Sequence, residues 1–574
     1  MGYLPARWIA ISAPASPAGG SDGFILSGFT VNGFQLLLKG SLLTIRVRFR
    51  GLPALGASIY NCIVFNNMIK SLKVKPEVLF YVFIIVCLAA IIYFRFLESV
   101  SRFFGYDEYY NLHLSYLMSI GKVPYRDFFN IYSPFFHLSF VPIFKILGEK
   151  FLVLTVGRLL VLFYFLIGVL FTYRTARLFV SNTASVFITL ITLSLPIAVE
   201  KTIDIRPDNL MVSLFLAGLF YSVKGIIQKK QRDLFIGGII LGFSALVMIK
   251  IIFSLAGLIL GIITFIILAG EKKNRMRDLI IPLFSGIVVI FLLFCLIILY
   301  FDIFKQALIS MLIYPGQIGA VMRFSTGLYP TYWFLPNNAV YGTFKGIPWW
   351  TNSIFTVLFL CGIVTTVIRI VLLSKNRERL MLLFPLITSF VSLYFVPRVF
   401  QQYLLPFLSL CVFFVAFVLE DTLKLVKREK IKSKILVYTY TALSMLLVLS
   451  MKESWKVKKT WTNIPDRQWI NYVTIKTKPT DIFWGGSGIY IFRDDGYYIP
   501  HFSYFEFPNS IIKESPPLIP MLEARKIKYL YISKESINKR QWPLDSRQTD
   551  DFIAWVKNNF VATDHPFLMV RKAQ

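Results

Sequence analysis

Two carboxylates stand side by side in the run Gly105-Tyr106-Asp107-Glu108-Tyr109-Tyr110. In a partly desolvated setting one carboxylate can take a proton from an attacking hydroxyl while its neighbour orients it or binds a cation. The plainer reading is an acidic pair capping a helix N-terminus. A second run, Glu200-Lys201-Thr202-Ile203-Asp204-Ile205-Arg206-Pro207-Asp208, sets three acids and two bases within nine residues. Pro207 suits the first turn of a helix, so Arg206 and Asp208 are expected at a helix N-terminus, where a phosphate is welcome. Lys250 lies among Met248, Ile249, Ile251 and Ile252. A cation in that company needs either a counter-ion such as phosphate or a path to the interface. In Val396-Pro397-Arg398-Val399-Phe400-Gln401-Gln402-Tyr403, Arg398 is the single charge. Its guanidinium can clamp phosphate oxygens, with Gln402 and Tyr403 as neutral donors, although Tyr403 is equally suited to be an interfacial aromatic anchor.

The elements that must position these groups are apolar. The chain has 574 residues and is 56% apolar, with a mean hydropathy of +0.64; ordinary soluble domains are about 45–50% apolar. Runs long enough to cross hydrocarbon, about 17–25 residues each, are expected at 77–95, 152–172, 183–199, 208–223, 235–250, 252–270, 279–300, 352–373, 380–396, 402–419 and 434–451. With a cytoplasmic start to these eleven spans, the strongly basic turns (Arg174 and Arg177, Lys224 to Arg232, Lys272 to Arg277, Lys375 to Arg379, Lys424 to Lys434) all fall on one side. The net charge of +30 is thus a feature of topology, and no nucleic-acid partner is expected.

Residues 1–67, rich in Gly, Ala, Pro and Ser, are expected to be a non-native or disordered extension, because Met68 and its basic flank make a natural start. Residues 68–451 form the expected membrane domain. Residues 452–574 alternate short apolar runs, Ile482-Phe483-Trp484 and Tyr529-Leu530-Tyr531, with turns and a helical stretch near 550–559, as a small α/β domain would. Cys87, Cys295, Cys361 and Cys411 lie inside apolar spans as small hydrophobes, and the four histidines lack ligand spacing.

Asp107, Glu108, Asp204, Arg206, Asp208, Lys250 and Arg398 come from four loops that topology puts on the extracytoplasmic face. Carboxylates beside cations suit attack by a hydroxyl on a sugar carbon as a phosphate departs. Over residues 70–420 the chain resembles the GT-C class of membrane glycosyltransferases, near the protein O-mannosyltransferases, the lipid A aminoarabinose transferase and the rhizobial lipopolysaccharide glycosyltransferases. The resemblance rests on Asp107-Glu108, the stretch from Gly121 to Pro134, Arg206-Pro207-Asp208, Lys250, and Gln402-Tyr403 with Pro406. It implies an all-α polytopic, GT-C-like membrane domain with a small extracytoplasmic α/β domain, and transfer of a hexosyl or pentosyl unit from a polyprenyl-phosphate sugar donor to a lipid, glycan or protein acceptor. It further implies that Asp107 activates the acceptor with Glu108 in support. Lys250, Arg398 and Arg206 would hold the donor phosphate, with Asp204, Asp208, Gln402 and Tyr403 supporting. No cofactor is certain, and a divalent cation stays open. Ser133-Pro134 replaces the double proline of many relatives, and Gln402-Tyr403 their His-Tyr or Arg-Tyr pair, leaving donor and acceptor identity open. A transporter or flippase of lipid-linked glycan, and a surface-polysaccharide polymerase or ligase, are the competing readings.

Overall fold

A computed structural model describes residues 35–36, 45–46, 76–313, 349–395, 401–428, 433–485, 489–499, 517–532 and 546–572. The chain divides into two units, Met1–Pro76 and Glu77–Gln574. In the first, β1 (Gln35–Leu36) pairs antiparallel with β2 (Ile45–Arg46); the extension expected over 1–67 otherwise lies outside the described residues.

In the second unit each expected span coincides with helix. The first is α1 (Pro76–Ser101), followed by a short amphipathic set, α2 (Tyr106–Ser119), α3 (Phe135–Leu138) and α4 (Val141–Leu147). The bundle continues with α5 (Leu152–Ala176), α6 (Asn182–Ser194), α7 (Pro196–Lys201), α8 (Pro207–Gln228) and α9 (Gln231–Val247). After a 3₁₀ turn at Ile249–Ile251 come α10 (Ile252–Leu268), α11 (Lys273–Tyr300) and α12 (Phe304–Leu308). The last membrane-type helices are α13 (Trp349–Val371), α14 (Leu380–Phe395), α15 (Leu405–Arg428) and α16 (Ser433–Lys458). Seven helices among the described residues are long and apolar enough to cross a membrane.

Two differences from the sequence reading have local causes. The span at 183–199 is two helices, because Pro196 lacks the N–H that would continue α6 and instead opens α7 at its first turn. The fully buried Arg95 of α1 answers the break, donating to Leu193 O and Ala198 O at 3.1 Å each and to Thr202 Oγ1. The boundary expected at 451 falls inside α16, which runs on to Lys458.

Helix length separates the two ends of the bundle. The 22 residues of α8 cover about 33 Å at ~1.5 Å per residue. Its start holds Arg206 and Asp208. Its far end meets the α10–α11 turn, where Lys229 pairs with Glu271 at 2.7 Å, and Arg377 donates to Leu268 O at 2.5 Å nearby. The basic turns therefore gather opposite the acidic runs.

The C-terminal region is the expected small α/β fold. Its sheet has the order β4 (Asp494–Asp495), β3 (Ile482–Gly485), β5 (Tyr529–Tyr531), β7 (Leu568–Arg571), β6 (Phe560–Ala562), with β3 parallel to β4 and β5 and the other pairings antiparallel. One face packs α18 (Leu518–Ala524) and α19 (Ser546–Asn559) around Trp484, Leu530 and Phe552, and the other packs α17 (Ile464–Lys476) through Trp469, Ile470 and Val473 with Phe483 and Tyr529. This region docks on the α2 end of the bundle. His113 Nε2 meets Asp495 Oδ2 at 2.7 Å, Lys122 pairs with Asp494, and Arg493 Nη1 lies 2.6 Å from Glu149.

Helices α9 and α11 cross where glycine lets backbones touch. A Cβ on Gly238 would lie 2.1 Å from Leu283 O, and one on Gly286 would lie 2.3 Å from Phe235 O. Since an added side chain must push two backbones apart in a close-packed interior, Gly238→Leu is expected to abolish the monodisperse folded peak in detergent gel filtration. Ala256→Leu, on an exposed face of α10, should leave that peak in place; equal behaviour of the two would refute the crossing.

Candidate active site

The site begins where α1 stops. Residues 102–105 form an elbow, and α2 starts at Tyr106 with Gly105 as N-cap. Glu108, at the third position, reaches back so that its Oε2 accepts from Gly105 N at 2.7 Å. The same carboxylate meets Arg158 of α5 through two parallel bonds, Nε to Oε1 at 2.8 Å and Nη2 to Oε2 at 2.7 Å. Its Oε1 also accepts from Ile205 N at 3.1 Å. Arg158 continues to the elbow carbonyls of Arg102 (2.5 Å) and Phe103 (2.6 Å) and lies 3.7 Å over the Phe104 ring. Both side chains are buried, at 0% and 1% exposure. Glu108 is therefore a bracket between α2, α5 and the loop before α8.

Asp107, one residue earlier, points the other way. It pairs with Arg206, the N-cap residue of α8, and its side chain keeps 37% exposure. Arg206 Nε lies 3.7 Å from Asp208 Oδ2, and Asp208 in turn pairs with Lys250. Lys250 sits in the 3₁₀ turn between α9 and α10, at the junction of the expected spans 235–250 and 252–270, with Nζ 4.1 Å from the Tyr403 ring centre. The result is an alternating line, Asp107, Arg206, Asp208, Lys250, Tyr403. Asp204 stands beside it, paired with Arg102 and 3.6 Å from Lys201. Burial works to raise the Asp204 carboxyl, but Arg102, Lys201 and Arg206 together hold it down at about 2.

Of the residues singled out in the sequence, Asp107, Glu108, Asp204, Arg206, Asp208, Lys250 and Tyr403 thus meet at one end of the bundle. Gln402 is buried in the 3₁₀ turn Gln401–Leu404 that leads into α15. Arg398 lies outside the described residues. Among the described residues no three His, Cys, Asp or Glu side chains converge as metal ligands.

Sequence reasoning missed Arg158 and Asn111. Arg158 carried the signal used for Lys250, a lone cation inside an apolar run. Asn111 carried none: its Nδ2 donates to Asp107 O at 2.7 Å and Ile205 O at 3.1 Å, while its Oδ1 accepts from His137 Nε2 at 3.0 Å. Burial pushes the His137 imidazole down to about 3, so it makes this bond as a neutral ring.

Removing either member of a buried ion pair strands a charge, at a cost of about 3–5 kcal/mol. Arg158→Ala and Glu108→Gln should each lower thermal stability in detergent sharply, and the double variant should recover roughly 0.5–3 kcal/mol of their sum; strict additivity would contradict the bracket. His137 adds a pH effect. Its folded value lies below the ordinary 6.5, so the unfolded chain binds the proton first, and stability is lost as pH falls from 6.5 toward 3. The slope from this group is at most about 1.4 kcal/mol per pH unit. His137→Asn should flatten that part of a melting-temperature profile measured between pH 7 and 4.5, and an unchanged profile would refute the assignment.

Residues 134–319 match the family described as dolichyl-phosphate-mannose-protein mannosyltransferase. No curated protein matches the chain. Among solved structures, ArnT from Cupriavidus metallidurans in the apo state is similar with a TM-score of 0.55 at 12% identity, over 85% of this chain and 96% of that one. The Archaeoglobus fulgidus oligosaccharyltransferase in the apo form is similar with a TM-score of 0.52 at 14% identity, over 80% and 70% of the two chains. At such identities the likeness is one of fold, shared with ArnT and the oligosaccharyltransferase, and the match to the mannosyltransferase family lies within the same helical region, over residues 134–319.

Proposed function

We propose that the protein transfers a sugar from a polyprenyl-phosphate donor to a hydroxyl-bearing lipid, glycan or protein acceptor at the extracytoplasmic membrane face. One observation carries the assignment of roles. Asp107 keeps 37% side-chain exposure, whereas Glu108 and Asp208 keep 1% and 2%. A proton acceptor must be within hydrogen-bond reach of its substrate, and of these three carboxylates Asp107 is the accessible one. Glu108 then acts through position.

The reaction follows from the charge order. The acceptor oxygen attacks the anomeric carbon, its proton passes to Asp107, and the carbon–oxygen bond to phosphate breaks with the electron pair leaving on the phosphate. Positive charge is required where that negative charge grows. Arg206 and Lys250 are already side by side on Asp208, at the first turn of α8, whose N–H groups add their own partial charge. Arg398 is proposed to join them, with Gln402 and Tyr403 as neutral support. The family matched by residues 134–319 is described by a dolichyl-phosphate sugar donor, which favours lipid-phosphate chemistry over transport. The basic turns at the opposite end of the bundle favour an extracytoplasmic site by the positive-inside rule.

The test is direct. Purified protein with radiolabelled polyprenyl-phosphate sugars and a membrane glycolipid extract should transfer label. Asp107→Asn should lower turnover by a factor of about 10² or more, and Lys250→Ala should lower it comparably by weakening phosphate stabilisation. Glu453→Gln, on an exposed turn of α16, should match wild type. Full activity of Asp107→Asn in a folded protein would sink the base assignment. Binding of polyprenyl phosphate without transfer from any donor would favour a transporter.

A further inference from the structure

The elbow that presents Asp107 is held from two sides. Arg158 grips it from within the bundle; the segment that follows α16 grips it from without. Lys458, at the end of α16, is fully buried and lies 2.5 Å from Glu98 of α1. Phe103 N donates to Trp461 O at 3.2 Å, and the two rings lie 5.9 Å apart. Asn463 donates through its backbone to Ser101 O at 2.9 Å and through Nδ2 to Val100 O at 2.8 Å. Asp466 then takes Phe104 N on Oδ2 at 3.1 Å and Tyr109 Oη on Oδ1 at 2.6 Å.

The chemistry of these bonds is specific to a turn. A helix end leaves carbonyls without intrahelical partners, and the start of the next helix leaves N–H groups in the same condition. Asn463 supplies donors to the carbonyls closing α1, while Trp461 O and Asp466 supply acceptors to the amides leading into α2. Asp466 alone among them spans the elbow and the first turn of α2, bonding residues 104 and 109 on either side of Asp107. It makes no ion pair with the line from Asp107 to Lys250. Burial raises the Asp466 carboxyl, while the bonds from Tyr109 and Phe104 favour its charged form.

We propose that Asp466 is a positioning residue for Asp107, so that the segment leading into the C-terminal domain is a working part of the active site. The proposal rests on the reading of Asp107 as the group that takes the acceptor proton. Fixing a reacting group within a fraction of an ångström matters strongly, because a misplacement of about 1 Å can lower the rate by about 10². Removal of Asp466 should therefore lower turnover more than donor binding, since its bonds go to Phe104 and Tyr109 and not to Arg206 or Lys250.

Two readouts on the full chain test this, one of them independent of activity. Hydrogen–deuterium exchange over residues 103–112 should rise about tenfold or more in Asp466→Ala and little in Asp466→Asn, whose amide oxygen still accepts a bond. With the polyprenyl-phosphate sugar that wild type turns over, kcat of Asp466→Ala should fall at least about tenfold with donor KM within about twofold. Asp466→Asn should recover a third or more of the wild-type kcat; if the alanine variant does not fold, Tyr109→Phe, which removes the bond to Asp466 Oδ1, should raise exchange over 103–112 in its place, and unchanged exchange there overturns the proposal as well. Unchanged exchange in Asp466→Ala overturns the proposal, and so does a raised donor KM at unchanged kcat. Wild-type protein that turns over no donor overturns the transfer reading and with it the catalytic consequence; exchange then reports separately whether Asp466 holds the elbow.

Discussion

The buried pair between Arg158 and Glu108 is the constraint on which the rest of the site depends. Two charges at 0% and 1% exposure are costly to remove from water, and their attraction compensates only when the remaining hydrogen-bonding positions are filled. Here they are filled by the amides of Gly105 and Ile205 and the carbonyls of Arg102 and Phe103. The charges thereby demand that the elbow after α1, the first turn of α2, the wall of α5 and the loop before α8 lie together. Asp107 inherits its place from that demand, since it is one residue along the same helical turn.

The alternating line from Asp107 to Lys250 follows the same electrostatic logic in a wetter setting. Largely buried cations need partners, and Asp208, itself 2% exposed, serves both Arg206 and Lys250. Counted along the line, Asp107 and Asp208 balance Arg206 and Lys250, so the two cations stand close together without a net charge. On the proposed function, the tight pairing keeps the cations aimed before a donor arrives, so little reorganisation is required when charge develops. Lys250 can occupy its turn because the helix is broken there: Met248 is extended between α9 and the 3₁₀ turn, and the Tyr403 ring covers the ammonium.

The C-terminal sheet region is tied to the same end of the bundle by polar contacts that are costly to leave unmade. His113 of α2 is fully buried against Asp495, whose other oxygen takes the Tyr490 hydroxyl at 2.5 Å. Arg493, also buried, divides its donors between Glu149, Thr477 and Phe492 O. Phe129 N donates to Tyr498 O at 2.8 Å, joining the loop between α2 and α3 to the domain. Polar bonds of this kind hold a unique docking arrangement, because a shifted one would bury the same groups without partners.

Apolar run length and charge placement alone fix the membrane as solvent, the helical spans, the separation of basic turns from acidic runs, and the residue types at the site. Those properties are local: apolar run length, a proline at a first turn, a lone lysine between isoleucines. The junction of two spans at Lys250 and the helix start at Pro207 were legible for that reason. Which of two adjacent acids is accessible depends on packing, since Asp107 and Glu108 differ through Arg158, fifty positions from Glu108 in the chain. The fold alone divided the span at 183–199 and supplied Arg95 to the break. It alone brought Asn111 and Asp466 to the elbow. Pairing across such separations depends on which helices pack together, and a one-dimensional pattern of hydropathy and charge carries no term for that choice.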